Sequence, residues 1–316
     1  MRFHALLPVR DEADIIGQCL THLLTWADAI YVFDTGSVDN SWEIVLDFAA
    51  RDRRIVPLRK DHVFFSENRL RGWMFNEARS AMRDGDWFLR VDADEFHHVP
   101  PPEFVVEEMR SHETIAFHQY YEFKLTESEV EAWDSGRETL ADRSRPIADR
   151  RRWFIPNPYS EPRLCKYRST MQWPTIVSFP YNAGFVARAR LPIRHYPHRD
   201  PVQLDRRCRL RAVMMADEQN RSHWSQPELH HWAQREWRTF IAEDSDPNLL
   251  HWKPNTDLPR FDFTAHLAKP HVRLLQYVAH QRLLPFLDSR RAKWADGAYP
   301  QPIPPELVNL LAAELS

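Results

Sequence analysis

The sequence predicts an α/β fold: a central, mainly parallel sheet flanked by helices, followed by a helical C-terminal extension. Three observations predict it. Strand-like apolar runs alternate with amphipathic helical segments from Phe3 to Leu58, the pattern of parallel strands joined by crossover helices. Polar, carboxylate-bearing turns fall where those strands end. From Pro201 onward the pattern becomes helical. Division into an α/β domain over 1–203 and an extension over 204–316 follows.

The first strand, Phe3 to Val9, stops at the charged run Arg10-Asp11-Glu12. A helix is expected over Ala13 to Thr25, where Ile16, Cys19, Leu20 and Leu23 recur at helical spacing. Ala29 to Phe33 is a second strand, closed by the turn D-T-G-S-V-D-N, Asp34 to Asn40. Ser41 to Ala50 reads as a helix and Arg54 to Leu58 as a third strand. A loop and helix over Phe64 to Arg83 lead into a short apolar strand at Trp87. Further strands are expected over Ile115 to Phe123, Arg163 to Arg168, Ile176 to Phe179 and Ile193 to Tyr196. Thr126 to Arg152 is highly charged and poor in apolar residues, so a mobile lid is expected there. Leu204 to Ala216, Gln226 to Ile241, Val272 to Leu287 and Pro304 to Leu315 read as helices.

Composition narrows the function. The chain has 316 residues, 43% of them hydrophobic, which is enough for a sizeable core. A net charge of -3 gives no global basic field for nucleic acid. The 3 cysteines, Cys19, Cys165 and Cys208, are isolated, indicating neither a disulfide framework nor a zinc ribbon. No stretch approaches the ~20 apolar residues of a membrane span, and Met1-Arg2-Phe3-His4 lacks the apolar core of a signal peptide. A cytoplasmic protein is expected. Only 7 glycines are present, with no G-x-x-x-x-G-K and no G-x-G-x-x-G, so no glycine-rich phosphate loop is in prospect.

The stretch W-F-L-R-V-D-A-D-E-F, Trp87 to Phe96, carries the chemistry. If the strand persists, Asp92 and Asp94 share a face. Two crowded carboxylates repel, and a divalent cation with hard oxygen ligands resolves this. A solvated acidic turn capping the strand is the other reading of these ten residues. In parallel sheets ligands bind beyond the carboxyl ends of the strands, where Arg10 to Glu12, the Asp34 turn and the acidic stretch all fall.

Four segments in order carry a resemblance. V-R-D-E (Val9 to Glu12), D-T-G-S-V-D (Asp34 to Asp39), W-F-L-R-V-D-A-D-E-F and H-Y-P-H-R-D-P-V-Q-L (His195 to Leu204) together resemble the family 2 type of nucleotide-sugar glycosyltransferases, of the GT-A fold. The resemblance covers roughly residues 3 to 205. It implies transfer of a sugar, with inversion, from a nucleotide diphosphate donor to a hydroxyl acceptor, in surface glycan biosynthesis or on a lipid-linked precursor. Peripheral membrane contact is compatible with such an acceptor.

It also implies residue roles. Asp92 and Asp94 would hold Mn²⁺ or Mg²⁺ on the donor pyrophosphate, with His195 completing the set, because a metal stabilises the departing diphosphate without proton transfer. Val9, Arg10, Glu12, Asp34 and Asp92 would contact the nucleotide. Arg71 would meet a phosphate, although helix arginines are commonly solvated. An inverting transferase needs a carboxylate base. Relatives offer an H-E pair where this chain has V-S-F, Val177 to Phe179. Glu161, Glu95 and Asp200 are the substitutes. A nucleotidyltransferase on a similar sheet and a nucleotide-binding protein without transferase activity are the alternatives. The first should carry a glycine-rich phosphate loop, and the second is favoured by the missing base.

Overall fold

The computed structural model describes residues 1–65, 67–174, 177–215, 230–231, 233–254, 257–260, 270–291 and 298–315. Strands β1 (Phe3–Val9), β2 (Ala29–Asp34), β3 (Ile55–Lys60) and β4 (Trp87–Arg90) pair in the order β3-β2-β1-β4, all parallel. Helices α1 (Ile16–Leu23), α2 (Ser41–Arg51) and α3 (Glu67–Ala78) connect them. β1 is buried on both faces, which explains its unbroken apolar run. Phe3, Ala5, Leu7 and Val9 enter one core with Ile16, Leu20 and Leu23 of α1. Leu6 points oppositely, into a core with Phe33, Phe75, Phe88 and Trp173.

Beyond β4 the sheet is mixed. β5 (Glu95–His97), α4 (Pro101–Glu107), β6 (Ile115–Phe123), α5 (Glu127–Asp134), α6 (Ile147–Arg150), β7 (Trp153–Asn157), β8 (Pro162–Lys166), β9 (Leu191–His195) and α7 (Pro201–Met214) follow. β8 runs antiparallel to both β4 and β6, while β9 runs parallel to β6 and antiparallel to β5. The parallel reading therefore holds for β3-β2-β1-β4, and the second half is curled and mixed. The short β10 (Leu250–His251) extends the sheet beside β7, and α8 (Pro270–Arg291) and α9 (Pro305–Leu315) come last. The three cysteines are free and buried. Among the described residues no helix is long and apolar enough to cross a membrane.

Several expectations are corrected. Residues 126 to 152 are not a bare lid. Thr126 and Glu129 form a reciprocal capping box at the start of α5. Ile147 enters the core, and its N–H donates to Gln18 Oε1 at 2.8 Å. Arg151 is buried, donating to the Arg199 carbonyl at 2.7 Å and pairing with Glu138 at 2.9 Å. Ion pairs and hydrogen bonds hold this segment where apolar side chains are scarce. Val177–Phe179 forms bends rather than a strand, and residues 175–176 lie outside the described residues. Of the helix expected over Gln226 to Ile241, residues 226–229 and 232 lie outside the described residues, 230–231 and 233–234 are helical, and Trp237–Phe240 is a 3-10 turn. The boundary placed between 203 and 204 falls inside α7.

Candidate active site

The loops at the carboxyl ends of β1, β2 and β4 meet the end of β9 and one side of α7 around a cavity of about 1000 Å³. Arg10, Glu12, Asp92, Asp94, His195 and Glu161 all line it. A second cavity of about 930 Å³ lies beside it and shares His195, Arg207 and Arg211 with it.

The loop after β2 is built by Asp34. Its Oδ1 accepts from the N–H of Gly36 at 2.8 Å and of Ser37 at 2.6 Å, while Oδ2 is buried without a partner. Gly36 has φ +98, and a Cβ there would lie 2.4 Å from His62 Nδ1, so the turn requires glycine. Burial raises the Asp34 carboxyl above the usual range, against the pull of the Ser37 and Gly36 N–H groups. Asp34 lies behind the cavity wall rather than on it. Val9 is buried as well, its carbonyl taken by the Thr35 N–H at 2.9 Å. Arg10 does line the cavity. It donates to the Thr35 carbonyl, and its Nε and Nη2 have no hydrogen-bond partner.

Asp92 and Asp94 both line the cavity but take different partners, and the strand that would have set them on one face stops short of them. β4 ends at Arg90 and the chain turns, with the Glu95 N–H donating to the Asp92 carbonyl at 3.1 Å. Asp92 Oδ1 takes Arg71 Nη2 at 2.6 Å, and Oδ2 faces Arg163 Nη1 at 3.3 Å. Burial alone would raise the Asp92 carboxyl, but Arg71 and Arg163 outweigh it and hold it at about 2. Asp94 turns instead to His195 Nε2 at 3.5 Å, Arg207 at 3.5 Å and Arg199 at 3.9 Å. These cations overcome burial and keep Asp94 well below the usual range. His195 reaches Asp94 because β5 and β9 pair Glu95 with His195. Asp94 overcomes burial there too and raises the imidazole pKa. Arg71 is fully buried beneath Asp92 rather than on the cavity wall.

Asp94 and His195 form a one-carboxylate, one-imidazole pair of the kind that suits a divalent cation, and Asp92 lines the same cavity, held by Arg71 and Arg163. Among the described residues no three His, Cys, Asp or Glu side chains gather as a metal-holding set.

The three candidate bases separate. Asp200 is the N-cap of α7, accepting from the Gln203 N–H at 2.9 Å and pairing with Arg143 at 2.8 Å and Arg150 at 3.4 Å. Glu95 is buried and accepts from the Tyr120 hydroxyl and from Arg163 at 2.8 Å. Burial raises its carboxyl to about 7 despite Arg163. Of the three only Glu161 lines the cavity, with Oε1 on Arg163 at 3.0 Å and Oε2 accepting from the Tyr159 hydroxyl at 3.2 Å. Ser178 and Phe179 line the same cavity, so no carboxylate stands in the V-S-F position.

Three arginines escaped the sequence reading. Arg163 joins Asp92, Glu95 and Glu161. Arg199 joins Asp14 at 2.6 Å, Glu12 and Asp94. Burial beside Asp94 and Asp14 pushes the Glu12 carboxyl up to about 8, against Arg199. Arg207 joins Asp94 to the Pro197 carbonyl. Arg199 stands inside H-Y-P-H-R-D-P and Arg163 two residues after Glu161, so their positions were in view. Buried acids that cluster require cations, and that requirement was the missed signal.

The model of the family described as Glycosyl transferase family 2 matches residues 5–178, more than half of the chain. No curated protein matches. Among solved structures the chain is similar to a mycobacterial protein, at 24% identity over 38% of this chain and 41% of that one, with a TM-score of 0.26. It is also similar to a mannosyltransferase from Pyrobaculum calidifontis, solved with GDP-Man and Mn²⁺, at 12% identity over 99% of this chain and 86% of that one, TM-score 0.38. A third is glucosyl-3-phosphoglycerate synthase from Mycobacterium tuberculosis in complex with phosphoglyceric acid, at 17% identity over 52% and 56%, TM-score 0.25. The chain spans about two fifths of the mycobacterial protein's length.

Proposed function

Because this chain belongs to glycosyl transferase family 2, we propose that it moves a sugar from a nucleotide diphosphate donor to a hydroxyl acceptor, with inversion. The observation that supports this most is the cavity at the ends of β1 and β4, where Asp94 and His195 face a wall of arginines. The donor's nucleotide lies toward Arg10 and Glu12, with the Asp34 turn fixing the wall behind them. Arg206, Arg207 and Arg211 of α7 and Arg143 offset the charge of the diphosphate.

A divalent cation, Mn²⁺ or Mg²⁺, held by Asp94 and His195 would stabilise the charge on the departing diphosphate. Asp92 positions Arg71 and Arg163 rather than binding the cation. Arg163 in turn fixes Glu161, which takes the proton from the acceptor hydroxyl. The rings of Phe117, Tyr159 and Phe179 give the same cavity an apolar side against which a sugar can lie. A surface glycan or its lipid-linked precursor is the acceptor class. A nucleotidyltransferase is disfavoured by V-R-D-E where a glycine-rich loop would stand.

Donor hydrolysis without acceptor tests the reading. Nucleoside diphosphate should be released slowly from a nucleotide sugar with Mn²⁺, and Asp94→Asn should abolish the release. A wild-type protein that binds nucleoside diphosphate yet never turns over a nucleotide sugar would support a binding protein. Ser178 and Phe179 in the base position favour that second reading.

A further inference from the structure

The second cavity, of about 930 Å³, is built almost wholly outside the family match over 5–178. Of its described lining residues, only Glu122, Lys124 and Ile155 fall within that match. β6 and the residue after it supply Glu122 and Lys124, which pair through Glu122 Oε1, while Oε2 accepts from Asn157 Nδ2 at 3.0 Å. α7 supplies Arg207 and Arg211, and Arg207 donates to the Pro197 carbonyl at 2.9 Å. The rest of the wall comes from Thr239 to Pro247 and is fixed to the segment around α5. The Ala242 N–H donates to the Leu125 carbonyl at 2.9 Å, and its own carbonyl accepts from the Glu127 N–H at 3.1 Å. Asp244 Oδ2 accepts from the Ser128 N–H at 3.1 Å, and Phe240 and Ile241 pack on Leu125, Val130 and Leu204. The cavity is therefore held in shape by hydrogen bonds and packing from both halves of the chain.

Its charges balance: Lys124, Arg207 and Arg211 stand against Glu122, Glu243 and Asp246. A ligand carrying net charge of either sign would be repelled by three of these six. Hydroxyl groups meet no such bias, because each can donate to a carboxylate and accept from a guanidinium or an ammonium. His198 lines the cavity at 7% exposure, and its Nδ1 has no hydrogen-bond partner. Ile155, Phe240 and Pro247 add apolar surface for the C–H faces of a ring. The lining thus suits a neutral, hydroxyl-rich ring compound, and the volume is near the top of the ~300–1,000 Å³ range of small-molecule sites. His195, Arg207 and Arg211 line both cavities, so an occupant of the second abuts the Asp94 and His195 pair.

We infer that the second cavity holds a neutral sugar unit of an oligosaccharide acceptor, beside the unit that receives the transferred sugar. The acceptor role rests on the transferase reading, whereas the ligand class does not. The test is ligand-observed NMR titration of the full chain with neutral hexose disaccharides, their component monosaccharides and disaccharides carrying a uronic acid. A neutral disaccharide should bind about tenfold or more tightly than either component, and more tightly than the acidic disaccharides, because the second ring adds its own hydrogen bonds. Ser245 and Thr239 are exposed lining positions. Ser245→Trp and Thr239→Trp should each lower disaccharide affinity by about tenfold or more at unchanged melting temperature, since an indole occupies the space and surface positions tolerate substitution. Monosaccharides bound as well as disaccharides, a preference for the acidic ones, no disaccharide binding, or undiminished binding by both variants would overturn the inference. Donor hydrolysis by the wild type is followed alongside. Hydrolysis without a disaccharide preference overturns the inference and leaves the transferase reading standing. Disaccharide binding lost in the variants, with no nucleotide sugar hydrolysed, upholds the ligand class and overturns the transferase reading instead.

Discussion

Arg199 Nε lies 2.6 Å from Asp14 Oδ2, joining the segment after β9 to the loop after β1 across 185 residues of chain. The same guanidinium meets Glu12 and approaches Asp94 at 3.9 Å. One buried cation thus ties the loop after β1 to the acidic turn after β4.

Arg163 should matter to the fold in the same way. It is shared by Asp92, Glu95 and Glu161, and removing it leaves the buried Glu95 without a cation, while Asp92 keeps Arg71 and Glu161 keeps Arg90. Arg163→Ala should cost about 3–5 kcal/mol in urea denaturation. A loss below about 1 kcal/mol would show that the acids find other partners.

Asp94 should couple metal to nucleotide. Calorimetry of nucleoside diphosphate should show binding to the wild type strengthened about tenfold or more by Mn²⁺, and no such gain for Asp94→Ala. Equal affinities of the two proteins with Mn²⁺ present would remove Asp94 from the site.

Glu161→Gln keeps the size and one accepting oxygen but cannot take a proton. Transfer to acceptor should fall by about 10²–10⁴, with donor affinity nearly unchanged. Undiminished transfer would place the base elsewhere.

Stability should respond to His22. Burial lowers its pKa from 6.5 to about 4, and its Nε2 accepts from the His97 N–H at 3.0 Å, which an imidazolium cannot do. Below pH 6.5 the unfolded chain therefore binds a proton that the folded protein refuses. Stability should fall as pH drops from 6.5, and this contribution should level off below about 4. His22→Gln retains an acceptor without titrating, so its denaturation midpoint should vary less with pH over that window. Identical pH slopes for the two proteins would remove His22 as the cause.

Gly36→Ala should lower stability by more than ~1 kcal/mol, because φ +98 and the approach of His62 both resist a Cβ. An unchanged melting temperature would mean that the turn relaxes freely.

Much of the α/β frame was legible in the sequence because its signals are local. Phe3 to Val9 emerged at the bounds read from its apolar run, and Ile115 to Phe123 likewise. The order V-R-D-E, D-T-G-S, D-A-D-E, H-Y-P-H carried the family. The charge of residues 126 to 152 misled, since composition suggested a lid while the T-x-x-E capping box marked a helix start.

What the sequence by itself determined is the succession of strands and helices and the acids at the strand ends, because periodicity and turn chemistry act over a few residues. Which acid faces which cation was decided by the tertiary structure alone. Asp92 and Asp94 are two residues apart, yet one turns to Arg71 and Arg163 and the other to His195, Arg199 and Arg207. The chain bends after Arg90, the β5/β9 register brings His195 alongside, and buried charge settles only where a distant cation completes it.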